Sequence, residues 1–201
     1  MKRAALIPLL FGLSIVSCKR EEPFEILQPP PPPSLQKHWQ VPDFTFTERN
    51  GQTVRRADLA GKVWIADFFY TSCPGPCPML SGRLSAIQEK LGDRANVRLV
   101  SISLDPEKDT PEVLKQYAER FKAGPNWLFL TGDKATTYSL VQTGFKLAVA
   151  EERNNPEPIT HSTKILLIDR EGWVRGFYEG VGQDQTEQLI KDVDKLLAEK
   201  P

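Results

Sequence analysis

The feature that most constrains this chain is a proline-rich turn with two cysteines, Thr71 to Met79, which lies between two apolar segments. The preceding run, Val63 to Tyr70, is almost continuously apolar and predicts a buried strand. The following apolar residues are spaced by four, three and four positions, which predicts one stripe of a helix: Leu80, Leu84, Ile87 and Leu91. The sequence therefore predicts a strand, a rigid turn and a helix that begins near Cys77.

Cys73 and Cys77 in this turn are candidates for redox or metal chemistry. Pro78 suits the first turn of a helix, and the unpaired N–H groups and dipole at such a position favour a thiolate over a thiol. A spacing of four residues places both sulfurs on one side of a helix, within reach of a disulfide or a shared soft metal ion. The alternative is a pair of unreactive core cysteines, but the prolines and glycine suit a rigid, solvent-accessible turn better than a packed core.

The first 18 residues predict an export signal rather than part of the fold. Met1 to Arg3 carries positive charge, and Ala4 to Val16 is an apolar run too short for a comfortable membrane span. Its ending, Ile15 to Cys18, is similar to the lipobox of bacterial lipoproteins, in which the cysteine is lipidated. An ordinary signal peptide with an incidental cysteine is the alternative. Either signal predicts an extracytoplasmic protein of the bacterial cell envelope, and the lipobox predicts attachment to a membrane through Cys18.

Residues 19–40 are predicted to form a Pro-rich tether. The run Pro29 to Pro33 favours a stiff polyproline spacer, and a ligand for a proline-binding module is the alternative interpretation. His38 stands near the end of this segment, and we interpret it as a solvated linker residue rather than a metal ligand.

Residues 41–201 are predicted to form one α/β domain with a thioredoxin-like fold, in which helices flank a central mixed sheet. Strand, helix and strand come first, and a hairpin and a closing helix follow, which is the thioredoxin order of elements. Asn50-Gly51 predicts a tight turn, and the segment Glu151 to Thr160, with two asparagines and two prolines, predicts a loop. The other predicted elements are strands at 44–46, 63–70, 97–104, 127–130, 164–169 and 173–178, and helices at 78–92, from Pro111 to before Gly124, at 134–144 and at 185–199.

The small number of histidines restricts the third member of a site. The chain has three cysteines and two histidines, and His161 is the only histidine inside the predicted domain. A structural or surface histidine is the alternative, but the thioredoxin plan brings this polar segment over the cysteine turn. Two thiolates and one imidazole suit Cu(I) or Cu(II), and zinc with a water ligand could use the same groups. The charge is balanced at 26 basic and 26 acidic residues, so no nucleic-acid partner is expected.

Three separated motifs, in this order, resemble the Sco/SenC copper proteins. They are Cys73-Pro74-x-x-Cys77-Pro78, the segment Ser103 to Pro111, and His161-Ser162 before a strand that ends Ile168-Asp169-Arg170-Glu171-Gly172. The resemblance implies a thioredoxin fold, membrane anchoring and copper delivery to the binuclear copper centre of cytochrome c oxidase, whose copper-centre subunit would be the partner. It also implies Cys73, Cys77 and His161 as copper ligands and Asp105 as a supporting acidic residue near the metal.

The leading hypothesis is therefore a membrane-anchored copper-binding assembly factor. The alternative is an extracytoplasmic thiol–disulfide oxidoreductase in which Cys73 and Cys77 cycle and His161 tunes a thiolate, although such enzymes usually have two residues between the cysteines rather than three. A redox or copper sensor is a third possibility. Because the envelope is oxidising, a thioredoxin-like reductase is expected as a further partner.

Overall fold

The computed structural model describes residues 35–151 and 158–199. These residues form a mixed sheet with helices packed on it, and a separate short hairpin. The strands are β1 (Thr45–Glu48), β2 (Thr53–Arg55), β3 (Val63–Phe69), β4 (Val97–Ser103), β5 (Trp127–Thr131), β6 (Val149–Glu151), β7 (Ile159–His161), β8 (Lys164–Ile168) and β9 (Val174–Glu179). The helices are α1 (Cys77–Leu91), α2 (Pro111–Arg120), α3 (Lys134–Ser139) and α4 (Thr186–Ala198), with a 3-10 turn at Arg56–Leu59 and a π-helical turn at Leu140–Gly144.

The main sheet of the described residues has seven strands in the order β2-β1-β5-β4-β3-β8-β9. β4 pairs in parallel with β3 on one side and with β5 on the other, whereas the remaining neighbours are antiparallel. This arrangement confirms the predicted α/β thioredoxin-like fold with a mixed sheet. Because parallel strands end at the same edge, the segments that follow β3 and β4 lie side by side.

The centre of the core is β3, in which every residue is buried. It lies between β4 and β8, and both of its faces are buried, which explains why its sequence is apolar at every position but Asp67 rather than alternating. At its end Phe69 stacks on Tyr117 of α2, with ring centroids 5.1 Å apart. The predicted stripe of α1 is also buried, at Leu80, Leu84, Ile87 and Leu91.

The segment predicted as a loop, Glu151 to Thr160, contains parts of two strands, so that prediction is wrong at both ends. β6 and β7 pair with each other in a two-stranded sheet, and the register places Val149 opposite His161. Strands of three residues are too short to show an alternating pattern, and the nearby asparagines and prolines favour a loop prediction. His161 is consequently the last residue of a strand rather than the residue that follows a loop.

The segment before Val41 contacts the domain directly. The carbonyl of Trp39 accepts a hydrogen bond from the N–H of Val174, at 2.9 Å, and its indole N–H donates to the carbonyl of Gly144, at 2.7 Å. His38 is exposed, and its ring lies 5.2 Å from that of Phe177. The packed body therefore includes residues just before Val41.

The predicted signal peptide, Cys18 and most of the predicted tether lie outside the described residues. In residues 35–151 and 158–199, no helix combines the length and the apolar character needed to cross a membrane.

Candidate metal centre

The turn between β3 and α1 exposes its two cysteines to different degrees. Cys73 keeps 7% of its surface exposed, whereas Cys77 is completely buried. As predicted, α1 begins at Cys77 and has Pro78 in its first turn. Met79 is 60% exposed, because residues two positions apart on a helix point in nearly opposite directions. Both cysteines are thus buried, although the sequence predicts a solvent-accessible turn, and only Cys73 keeps a small exposed surface.

The β6–β7 hairpin brings His161 to these sulfurs. The Nε2 atom of His161 lies 3.4 Å from the Sγ atom of Cys77. Its Nδ1 lies 2.9 Å from the carbonyl oxygen of Ser162, and because a carbonyl only accepts, Nδ1 carries the proton. The lone pair of Nε2 in the neutral ring therefore faces Cys77, and this is the form in which histidine binds a metal ion.

The backbone around His161 is fixed by two neighbours. Within the hairpin His161 pairs with Val149. Two residues later, the carbonyl of Thr163 accepts a hydrogen bond from the N–H of Gly180, at 3.1 Å. A Cβ at Gly180 would lie 2.1 Å from that same oxygen, so a larger residue would collide with the backbone there.

Cys77 is the central member of the three predicted ligands. Its thiol interacts with that of Cys73, which contributes to the raised pKa of Cys77, and both cysteines are free thiols. In the described part of the chain, however, no three His, Cys, Asp or Glu side chains converge closely enough to hold a metal ion together. Cys77 thus contacts His161 at 3.4 Å and interacts with the Cys73 thiol, and a metal ion held by all three side chains would replace these interactions.

The electrostatics of Cys77 differ from the sequence-based prediction. Burial raises the pKa of the Cys77 thiol, and the hydrogen bond with Cys73 raises it further, although the backbone of Tyr70 acts in the opposite direction. The prediction that the start of the helix favours a thiolate is therefore wrong for Cys77, because α1 begins in the interior, where an isolated charge is costly. A bound cation can supply the compensating charge, since it displaces the thiol proton.

Asp105 was predicted to support the metal site, and it lies in the loop after β4. It is buried, and its carboxylate accepts a hydrogen bond from the ammonium group of Lys108, at 3.0 Å. Its backbone N–H donates to the hydroxyl of Ser103, at 3.1 Å. These contacts give Asp105 a paired charge, and its role next to a metal ion stays a prediction.

A second buried carboxylate, Asp67 in β3, was not predicted from the sequence. It accepts a hydrogen bond from the hydroxyl of Ser101, which in turn accepts one from the indole N–H of Trp127, at 2.9 Å. Its other oxygen, Oδ2, has no hydrogen-bond partner within the described residues. Burial raises the pKa of Asp67 to about 7, and the charge of Asp67 contributes to the raised pKa of Cys77.

A third buried carboxylate, Asp109, was also missed, although it stands in the Ser103–Pro111 motif. It accepts hydrogen bonds from the backbone N–H and the hydroxyl of Thr71, two residues before Cys73. The sequence does give one signal, because Asp109 stands between the end of a strand and the helix cap Thr110. An aspartate just before a helix is, however, more often exposed to solvent than buried in such a contact.

Fold and site together define a thioredoxin-like domain with two thiols and an imidazole at one edge of its sheet. The family model described as SCO1/SenC matches residues 33–198. The chain therefore belongs to the SCO1/SenC family.

Solved structures of family members are similar to this chain over most of its length. A SCO1/SenC family lipoprotein from Bacillus anthracis str. Ames is 32% identical with a TM-score of 0.75, covering 79% of this chain and 95% of its own. BsSco, described as a member of the Sco family of cytochrome c oxidase assembly proteins with a disulfide switch, is 30% identical with a TM-score of 0.75, covering 84% and 100%. Bradyrhizobium japonicum ScoI with copper bound is 27% identical with a TM-score of 0.66, covering 79% and 99%.

Proposed function

We propose that this protein binds copper through Cys73, Cys77 and His161 and takes part in assembling the binuclear copper centre of cytochrome c oxidase. The observation that carries the proposal is the contact of 3.4 Å between Cys77 Sγ and His161 Nε2. Two sulfurs select Cu(I), and an added imidazole nitrogen allows Cu(II) to bind as well. The copper-bound relative from Bradyrhizobium japonicum and the description of BsSco support this function.

Each ligand has a defined task in loading. Cys73 and Cys77 must each release a proton, because the thiolate is the ligand. His161 needs no proton transfer, since its Nδ1–H remains hydrogen-bonded to the carbonyl of Ser162 while Nε2 turns its lone pair to the metal. Copper is in this proposal the cargo that is passed to the copper-centre subunit of the oxidase.

Copper titration of the reduced full-length protein in detergent tests the ligand set. Cys73→Ala and Cys77→Ala should each weaken Cu(I) and Cu(II) binding by more than about 100-fold, since even groups that only support a ligand cost about 10- to 100-fold. His161→Ala should weaken Cu(II) binding much more than Cu(I) binding, because two thiolates satisfy linear Cu(I) coordination.

His38→Ala is the matched control for the histidine variant, because His38 is exposed and stacks near Trp39 and Phe177. It should leave both copper affinities unchanged. A copper affinity that depends on His38 and not on His161 would show that the third ligand is assigned to the wrong histidine.

The membrane attachment is a further part of the proposal. We infer that Cys18 is lipidated and holds the protein on the outer side of a membrane of the bacterial cell envelope, and the Bacillus anthracis relative described as a lipoprotein supports this. Cys18→Ser should release the protein from the membrane fraction or block its processing. Membrane fractionation and the mass of the N-terminal peptide check this, and unchanged values for both would contradict lipidation.

A thiol–disulfide oxidoreductase is the second candidate function, and the unequal exposure of the two cysteines favours it. Both cysteines are buried, but Cys73 keeps 7% of its surface exposed and interacts with the completely buried Cys77, so Cys73 could attack a substrate disulfide and Cys77 could resolve the mixed disulfide. Cys77→Ser should then accumulate a mixed disulfide through Cys73 with envelope proteins. Without such an adduct, copper binding remains the function that the site supports.

A further inference from the structure

Asp109 lies in the loop between β4 and α2, and it is fully buried. Its Oδ2 atom accepts hydrogen bonds from the backbone N–H of Thr71, at 3.1 Å, and from the hydroxyl of Ser103, at 2.5 Å. Its Oδ1 atom accepts from the hydroxyl of Thr71, at 2.5 Å. Both oxygens are thus engaged by donors from two different segments, which offset part of the cost of burying the carboxylate.

These donors connect the cysteine turn to the adjacent strand. Thr71 stands two residues before Cys73. Ser103 is the last residue of β4, and it is the register partner of Phe69 at the end of β3. The hydrogen bonds of Asp109 therefore hold the beginning of the turn next to the ends of the parallel strands β3 and β4.

The loop that carries Asp109 is held by its own backbone hydrogen bonds. The N–H groups of Lys108 and Asp109 both donate to the carbonyl of Asp105, at 3.0 and 2.8 Å. The next residue, Thr110, caps α2, and its hydroxyl accepts from the N–H of Val113, at 3.4 Å. The Asp109 carboxylate consequently has a fixed position relative to the sheet. Its hydrogen bonds with Thr71 therefore fix the start of the turn as well.

The two cysteines depend on this anchor to different extents. Cys77 is part of α1, which is held in the core through Leu80 and Leu84. Cys73 lies in the turn itself, where its N–H makes a long hydrogen bond of 3.3 Å to the carbonyl of Tyr70. The position of the Cys73 sulfur therefore depends on the position of Thr71, the residue at which the turn begins.

We propose that Asp109 is a positioning residue for the metal centre, and that through Thr71 it sets the Cys73 sulfur at the separation from Cys77 that metal binding requires. This inference rests on the proposed copper-binding function and extends it. Asparagine is a weaker substitute for Asp109, because it lacks the negative charge that strengthens the hydrogen bonds from Thr71 and Ser103, and its NH2 group fits only where the Thr71 hydroxyl turns to accept.

Asp109→Asn is best compared with Asp192→Asn in the full-length protein. Asp192 is a matched control because it is also buried and accepts hydrogen bonds, from Tyr178, Gln188 and Lys195, but it lies in α4. We expect Asp109→Asn to weaken Cu(II) binding by about tenfold or more and to shift the thiolate-to-Cu(II) charge-transfer absorption. Asp192→Asn should leave both unchanged, even where it lowers the stability of the fold.

Two variants of Thr71 keep the test decisive if Asp109→Asn does not fold. Thr71→Val removes the hydroxyl donor and retains the backbone N–H, so it should reproduce part of the loss in Cu(II) affinity. Thr71→Ser retains both donors and should bind copper as the unmodified protein does. Wild-type affinity and absorption in Thr71→Val, or equal effects of Asp109→Asn and Asp192→Asn, would overturn the proposal.

The alkylation rate of Cys73 in the reduced, copper-free protein separates this inference from the proposed function. The rate is read from the mass of the peptide that contains Cys73, and we expect Asp109→Asn, but not Asp192→Asn, to change it. If the unmodified protein takes up no copper, the proposed function fails, and a changed alkylation rate still supports the positioning role. An unchanged rate in Asp109→Asn contradicts that role whether or not copper binds.

Discussion

Oxidation of Cys73 and Cys77 to a disulfide is expected to lower the copper affinity by more than about a thousandfold, or about 4 kcal/mol. A metal ligand must be a thiolate, and in the disulfide both sulfurs have given up their protons and two electrons to an oxidant. The two thiols already act on each other in the reduced protein, since Cys73 contributes to the raised pKa of Cys77. Copper and the disulfide should therefore exclude each other.

The experiment compares oxidised and reduced full-length protein with Cu(I) and Cu(II), after the mass has confirmed the disulfide. The reduced protein should bind copper, and bound Cu(I) should protect both Cys73 and Cys77 from alkylation. Reduction of the oxidised sample serves as the control and should restore binding, as an envelope reductase of the thioredoxin type would do in the cell. Equal copper affinity of the two forms would exclude the cysteines as ligands and favour the oxidoreductase function.

The elements that could be predicted from the sequence are those with a strong local signal. Apart from Asp67, the run Val63 to Tyr70 is apolar because β3 is covered on both faces, and the prolines beside Cys77 mark the start of α1. The β6–β7 hairpin was missed because three-residue strands have no measurable period. His161 could nevertheless be placed near the cysteines, since the order of elements determines which segments meet at that edge of the sheet.

The properties that could not be predicted are those that depend on three-dimensional burial. Cys77 stands at a helix start, which favours the thiolate, but its complete burial raises the pKa instead. In the sequence Asp67 is a single charged residue within an apolar strand. Its neighbours in sequence do not indicate whether its carboxylate is hydrogen-bonded to Ser101 in the core or exposed to solvent. Likewise, the contact between Asp109 and Thr71 joins residues 38 positions apart. Such contacts require the register of β3 and β4, which a single sequence does not give.

The stability of the reduced protein is expected to fall as the pH rises from about 4 to about 7, because of Asp67. Its pKa is raised from 3.8 to about 7 by burial, which the hydrogen bond from Ser101 opposes. Below pH 4 Asp67 is protonated in both the folded and the unfolded chain, and its favourable contribution is fully present. Between the two pKa values only the folded protein keeps the proton, and stability is lost until Asp67 is charged in both states. Above pH 7 the accumulated loss is about 4 kcal/mol.

Asp67→Asn should remove this dependence, because asparagine is neutral at every pH and can still accept the hydrogen bond from Ser101. Denaturant unfolding at a series of pH values should show the variant to be more stable than the unmodified protein at pH 8 by up to about 4 kcal/mol, and nearly equal to it at pH 4.

Asp192→Asn provides a control in which the effect of pH on stability has the opposite sign. Burial acts to raise the pKa of Asp192, but hydrogen bonds from Lys195, Gln188 and Tyr178 outweigh it and lower the pKa. Asp192→Asn should therefore cost stability at neutral pH, and this cost should disappear as the pH falls below about 4. If Asp67→Asn leaves the pH profile unchanged, Asp67 is ionised in the folded protein throughout this range, and a partner must stabilise its charge at Oδ2.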